Sequence, residues 1–135
     1  MRNDSQRIIA VVSAWDGIEA HPHRFGGVEF TLGKVEVGHI HPNMGLVDIP
    51  FTRRTREALV ANSEAEPHHI LPESGWISFW MRADGDVEQA IRLYRLSYLM
   101  KAYRRDHAIP QAELDALKCS AAVLDTLKHR EAETE

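Results

Sequence analysis

The spacing of apolar residues changes from helical to alternating within the first forty positions. Near the N-terminus the apolar positions follow the i, i+3, i+4, i+7 spacing of a helix face, at Ile8, Val11, Val12 and Trp15. This spacing predicts a helix over about residues 4–15. Residues 28–32 and 35–37 instead alternate between apolar and polar side chains, and the turn dipeptide Gly33-Lys34 lies between them, which predicts strands over 28–32 and 34–41. Alternation on both sides of a turn dipeptide predicts a β-hairpin.

The remaining pattern predicts two more strands and three more helices. Residues 46–49 form a short apolar strand, and Thr52 is a suitable N-cap for the helix that follows. The run WISFWM at 76–81 is apolar on both faces, as expected for a central strand covered by helices. Helical periodicity then covers about residues 86–103. Pro110 opens a last helix with an apolar seam at Leu114, Leu117, Ala121 and Leu124.

This order of elements predicts an α+β domain whose antiparallel β-sheet of about four to five strands is backed by helices. We expect one domain over residues 1–130 and a frayed tail over 131–135, because the tail is short and strongly polar. The HPHRFGG segment carries one proline and two glycines, so it is predicted to be a shaped loop rather than a strand.

The charge and the cysteine content of the chain reduce the number of function classes that fit the sequence. The chain has 16 Lys and Arg against 20 Asp and Glu, and its net charge of -4 argues against nucleic-acid binding. A single cysteine, Cys119, excludes an internal disulfide, and its helical surroundings favour a buried thiol over a nucleophile. The N-terminal apolar run is short and interrupted by polar residues, so we expect no signal peptide, no membrane span and a cytoplasmic location.

Histidine is distributed unevenly. Six of the eight histidines fall between residues 21 and 69, in three close pairs. Imidazole can act as an acid, a base or a metal ligand near neutral pH, so this region is where chemistry is expected. The candidate ligand-binding residues are the three pairs and the arginine that follows the first of them: His21, His23, Arg24, His39, His41, His68 and His69.

A divalent metal such as zinc is one interpretation of these pairs. His39 and His41 are two apart on a predicted strand, so both project from one face, and alternation places them with Val35 and Val37 on the core side. A third nitrogen from His68 or His69 would complete three ligands and leave a position open for water or substrate; the predicted metal set is His39, His41 and His68. The alternative is neutral histidines that are hydrogen-bonded to the backbone or to Asp48 and Glu36.

Arginine and tryptophan are the other candidate binding residues. Arg24 lies beside histidine and glycine, so we expect it at the rim of a pocket for a small anionic ligand. Three more arginines near the predicted helix N-terminus, Arg53, Arg54 and Arg56, could bind an anion there, but an ordinary solvated face is favoured. Trp76 and Trp80 share one face of their strand and are interpreted as core residues.

Several segments together resemble the luciferase-domain family of small bacterial and fungal proteins. They are HPHRFGGVEFTLG, EVGHIHP, LVDIPF, EPHHILPESGWISFW and IRLYRLSYLMKAY, and they span roughly residues 15–103. The resemblance implies a fold and no particular reaction, and the family's name implies neither a luciferin nor light emission. A more distant similarity in the order of elements is to the YjbR-like double-wing fold, which supports the architecture only.

Two classes of function follow from the sequence. The first is a histidine-dependent enzyme or small-ligand-binding domain with a pocket formed by the HPH, HIH and HH segments. The second is a non-catalytic interaction module in which the histidines hold loops and the C-terminal helices form the contact surface, including a homodimer contact. Whether the chain is an enzyme stays open at this point.

Overall fold

The computed structural model describes residues 2–71, 73–103 and 108–127, which form five α-helices and one six-stranded antiparallel sheet. The helices are α1 (Arg2–Ser13), α2 (Arg53–Ala61), α3 (Asp86–Ala102), α4 (Gln111–Leu117) and α5 (Ala121–Leu127). The strands are β1 (Ile18–His23), β2 (Gly27–Leu32), β3 (Val35–His41), β4 (Leu46–Pro50), β5 (Glu66–Pro67) and β6 (Trp76–Trp80), in the spatial order β1-β2-β3-β4-β6-β5. The α+β prediction is confirmed; the predicted frayed tail lies outside the described residues.

The sheet has two strands that the sequence pattern did not predict, and both are edge strands. β1 pairs with β2 from Ile18 opposite Leu32 to His23 opposite Gly27, so the HPH part of the predicted HPHRFGG loop is strand, followed by one 3-10 turn over Arg24–Gly26. β5 is two residues long and pairs with β6. Each contains a proline, which lacks an N–H for a ladder and is tolerated at a sheet edge. Proline was therefore an edge signal here rather than a loop signal.

A β-bulge in β3 changes which residues share a face with the histidines. Phe30 pairs with Gly38 but Thr31 pairs with Glu36, which leaves Val37 without a direct partner. The extra residue shifts the alternation of side chains along the strand. The prediction that His39 and His41 share the core side with Val35 and Val37 is therefore wrong. Both histidines lie on the opposite face from Ile40, and Glu36, predicted to point away from them, contacts His39.

Helix α3 packs across β2, β3 and β4, as predicted, and fixes β3 through side chains. Tyr94 donates a hydrogen bond to the carbonyl of His39 (2.7 Å), and Ser97 donates to the carbonyl of Val37 (2.8 Å). Helix α3 and strand β3 lie close together at Gly38, where an added Cβ would lie 2.7 Å from Cε1 of Tyr94. Glycine at this position lets the helix sit against the strand that carries the histidines.

The core lies between the sheet and the helices and receives buried apolar side chains from all five of them, for example Ile8, Leu59, Leu93, Leu117 and Val123. Thr52 caps α2 as predicted, since its hydroxyl accepts the N–H of Thr55 at 3.2 Å.

The predicted single C-terminal helix is two short helices instead. Lys118 adopts a left-handed conformation (φ 55°) and ends α4, and the hydroxyl of Ser120 accepts the N–H of Val123 at the start of α5. The apolar seam from Leu114 to Leu124 is thus interrupted and cannot form a continuous zipper.

Candidate metal and ligand site

One row of directly paired residues crosses all six strands on the face away from Ile40. Direct partners in an antiparallel sheet project to the same side, so their side chains are neighbours. From edge to edge the row is His21, Glu29, His39, Asp48, Ser78 and Glu66. Every member is polar or ionisable, which makes this face the chemical face of the sheet.

Asp48 is the centre of this face. It is only 1% exposed, and it lies in an otherwise apolar strand. Four imidazole Nε2 atoms surround its carboxylate: those of His39 (3.3 Å), His41 (3.3 Å) and His69 (3.2 Å) from Oδ2, and that of His68 (3.5 Å) from Oδ1. A buried carboxylate is costly to desolvate unless it is paired, and here the imidazoles and one hydroxyl surround it.

The two oxygens of Asp48 have different partners. Ser78 donates a hydrogen bond to Oδ1 at 2.8 Å, and His68 faces the same oxygen. Oδ2 faces the Nε2 atoms of the other three histidines. Ser78 therefore fixes the rotation of the carboxylate and presents a single oxygen to three imidazoles.

His39 lies between two carboxylates. Its Nδ1 donates to Glu36 Oε2 at 2.7 Å, which directs its Nε2 toward Asp48. Burial opposes protonation of His39, but the hydrogen bonds to Asp48 and Glu36 outweigh it and raise its pKa to about 9. Burial likewise opposes ionisation of Asp48, yet hydrogen bonds from His39 and Ser78 lower its pKa to about 2. The ion pair of His39 and Asp48 is therefore stable across the physiological pH range.

The neighbours of His39 on the chemical face are also imidazoles. The ring of His23 stacks on that of His39 with a centroid separation of 4.3 Å, and its Nδ1 lies 3.3 Å from Glu29 Oε1. His41 packs edge-on against His39 at 5.1 Å. Burial and the positive charge of His39 lower the pKa of His41, so its ring is neutral at pH 7 and has a free lone pair.

His68 and His69 reach the site from the loop after β5. The backbone N–H of His69 donates to Ser78 Oγ at 3.1 Å, which anchors the loop on the sheet. Nδ1 of His68 accepts the N–H groups of Ile70 (3.1 Å) and Leu71 (3.0 Å). Burial lowers the pKa of His68. A neutral ring that accepts at Nδ1 carries its proton on Nε2, and that nitrogen faces Asp48.

The structure brings together five of the seven residues predicted for the site. The approach of the His39/His41 pair to the His68/His69 pair, predicted from sequence, is confirmed, since both pairs surround one carboxylate. His23 joins them by stacking. His21 is on the same face but exposed, and it contacts Thr31 (3.1 Å) and Glu19 (3.5 Å) rather than the cluster. Arg24 is exposed at the start of the 3-10 turn, immediately after His23.

Asp48 and Glu36 entered the sequence interpretation only as hydrogen-bond partners, although Asp48 is the centre of the site. The signal was present, because one carboxylate stands in the apolar strand LVDIP. Trp76 and Trp80 are interpreted from sequence as core residues, but both are partly exposed and border the cluster. The ring centroid of Trp76 lies 5.4 Å from that of His39 and 5.8 Å from that of His68, and the ring centroid of Trp80 lies 6.3 Å from that of His69.

Two separate sets of side chains within the described residues each place three ligand atoms within 4.8 Å of one another: His23, His39 and His41, and Asp48, His68 and His69. They meet at Asp48, which His39 and His41 also contact. Imidazole with one carboxylate is a ligand combination typical of zinc and of other first-row divalent ions.

Cys119 lies apart from this face, among the residues packed on the core. Burial, together with the nearby charge of Glu64, raises the pKa of its thiol to about 11. We therefore expect alkylation of the folded protein by iodoacetamide to be slow at pH 7 and to rise roughly tenfold per pH unit up to pH 10, since only the thiolate reacts. Mass spectrometry of timed samples measures this rate, with guanidinium-unfolded protein as the control. A rate that levels off near pH 9 would contradict the raised pKa.

Comparison with known proteins gives a family match over part of the chain. Residues 34–97 match the family model described as the Luciferase domain, which confirms the resemblance seen in the motifs, and this segment contains His39, His41, Asp48, His68 and His69. No curated protein and no solved structure matches the chain, and the resemblance to the YjbR-like double-wing fold is not confirmed. Among the described residues, no helix has both the length and the apolar character needed to cross a membrane.

Proposed function

We propose that this protein is a metal-binding domain whose chemical face holds one divalent ion such as zinc and presents it to a small ligand. The observation that carries the proposal is the equal spacing of three imidazole nitrogens around one carboxylate oxygen, 3.2–3.3 Å in each case. Zinc bonds to nitrogen and oxygen are about 2.0–2.1 Å, so two ligand atoms of a tetrahedral site lie about 3.3–3.4 Å apart. The three contacts match three of the six edges of such a tetrahedron.

The ligands in this proposal are His39, His41, His69 and Asp48. His39 also has the partner that metal-bound histidines commonly have, because Glu36 accepts from its Nδ1 and leaves Nε2 to face the centre. The metal set predicted from the sequence contains His68 in place of His69. We assign His68 to support instead, because its Nδ1 already accepts two backbone N–H groups and its Nε2 therefore carries a proton.

The charges of the site suit an anionic ligand. Zinc would displace the proton of His39, and zinc with three neutral imidazoles and one carboxylate would keep a net positive charge; the exposed Arg24, which directly follows His23 in the chain, adds to it. Among the four metal-binding side chains, that of His69 is the most exposed, at 30%. A small molecule can therefore reach the metal most easily from the side of His69. Zinc can expand to five ligands when a substrate oxygen enters. The site is thus arranged for binding and, where the ligand is reactive, for Lewis-acid activation.

A zinc titration tests the proposed ligand set. Chelator-treated protein is titrated with zinc sulfate by isothermal titration calorimetry, and we expect one equivalent to bind. His69→Ala should weaken binding at least roughly tenfold through the loss of one ligand, whereas the matched control His21→Ala should not, since His21 lies on the same face outside the cluster. Absence of zinc binding, or equal losses in both variants, would overturn the proposal.

A second candidate function, an interaction module, is favoured by a separate observation. A groove of about 870 Å³ lies along α4 and α5, and its lining includes Ile109, Leu114, Ala121 and Leu124. An open apolar groove of this kind is suited to a contact with a second copy of the chain. Light scattering after size exclusion tests it: a dimer that Leu124→Asp converts to a monomer supports this function, and a monomeric native protein contradicts it.

A further inference from the structure

The exposed large apolar side chains within the described part of the chain are concentrated at the candidate site. They are Met44 (53% exposed), Ile70 (71%) and Leu71 (51%). Met44 lies in the turn that follows His41, and the other two follow His69 directly. Exposed apolar side chains that gather beside a polar centre mark a binding surface more often than a random feature of the surface.

The backbone holds these side chains in solvent. The N–H groups of Ile70 and Leu71 donate to Nδ1 of His68, and Nε2 of the same ring faces Asp48. In the turn after β3, the N–H of Met44 donates to the carbonyl of His41 at 3.1 Å. The residues that build the polar centre therefore also fix the apolar residues beside it.

The aromatic residues extend the apolar surface down to the polar centre. Trp76 borders His39 and His68, and Trp80 borders His69; both rings are partly exposed. Small-molecule sites usually consist of a few polar groups surrounded by apolar and aromatic side chains. A ligand that used only the metal would leave this apolar surface in water.

We propose that the ligand is amphipathic, with an anionic head that binds the metal ion and an acyl-like apolar body that lies on Ile70 and Leu71, which directly follow His69. This inference rests on the proposed function, because the head requires the metal. It goes further in naming the class of ligand: small molecules that combine a carboxylate-type head with an aliphatic chain. Different residues recognise the two parts of the ligand: the head binds at Asp48, and the body lies on the loop that follows His69.

Two hydroxamates that share a zinc-binding head and differ in chain length test the inference. Acetohydroxamate and octanohydroxamate are titrated into zinc-loaded protein by calorimetry. Each fully buried methylene contributes roughly fourfold in affinity, so partial burial of six additional methylenes predicts a gain of at least about 30-fold for the longer compound. Replacing Ile70 and Leu71 together with Ser should reduce that gain to about threefold and leave acetohydroxamate binding unchanged.

The matched control is Val60→Ser on α2, a partly exposed aliphatic residue on a different element, which should keep the full gain. Equal affinities of the two compounds for the native protein would overturn the inference while the metal site stands. A gain that survives the double substitution would overturn it too, and a change in oligomeric mass of that variant would then assign the patch to a second copy of the chain. Failure of the proposed function is distinct: zinc is not retained and neither compound binds, which overturns both.

Discussion

Replacing Asp48 with Asn is expected to abolish the stabilisation of this protein by zinc. The substitution keeps the size of the side chain and removes the charge on which three imidazoles converge. A ligand that binds only the folded state adds about 4 kcal/mol to the free energy of unfolding at a concentration 1,000 times its Kd. Differential scanning calorimetry with and without zinc should show this increase in the native protein and none in Asp48→Asn.

Glu66→Gln is the matched control for this prediction. Glu66 belongs to the same cross-sheet row but is only partly buried, and its carboxylate is paired with Arg82 at 3.0 Å. It should show the full increase with zinc. An unchanged zinc response in Asp48→Asn, or its loss in Glu66→Gln, would mean that the cluster around Asp48 is not the metal site.

Replacing Tyr94 with Ala should lower the free energy of unfolding more than replacing it with Phe. Tyr94 is fully buried, lies edge-on to Phe30 at 5.4 Å and donates to the carbonyl of His39. Truncating a buried aromatic residue costs about 3–5 kcal/mol. Tyr94→Phe loses the hydrogen bond but keeps the ring, so we expect a loss of about 1 kcal/mol.

Equilibrium unfolding in urea, followed by tryptophan fluorescence, measures both variants of Tyr94. The phenylalanine variant keeps the prediction testable if the alanine variant does not fold. Similar losses in the two variants would show that the hydrogen bond to β3, rather than the packing of the ring, dominates; a loss below 1 kcal/mol for alanine would contradict the importance of this contact.

Much of the fold could be predicted from the chain because its strongest signals are local. Alternation in residues 28–32, the apolar run at 76–81 and the periodicity after Asp86 each depend on neighbouring residues only, and each gave an element near its observed bounds. The edge strands were missed because Pro22 and Pro67 are loop signals in isolation. These prolines are tolerated as strand residues because each lies in an edge strand, where the N–H that proline lacks is not required by a second neighbouring strand.

The candidate site depends on pairing between strands, which local patterns do not contain. The histidine pairs could be predicted to meet, but the face on which they lie depends on the bulge at Val37, and alternation alone gave the wrong side. Asp48 faces His39 and Ser78 only because β4 pairs in register with β3 and β6. A lone carboxylate in an apolar strand is the sequence feature that could have pointed to it.

The central claim is that one metal ion binds where three imidazoles converge on Asp48. X-ray absorption spectroscopy at the zinc K-edge, on protein loaded with one equivalent, counts the ligands directly. We predict a first shell of three imidazole nitrogens and at least one oxygen at about 2.0–2.1 Å, with the multiple scattering of imidazole rings. A shell with fewer than two imidazoles, or one that contains the sulfur of Cys119, would contradict the claim.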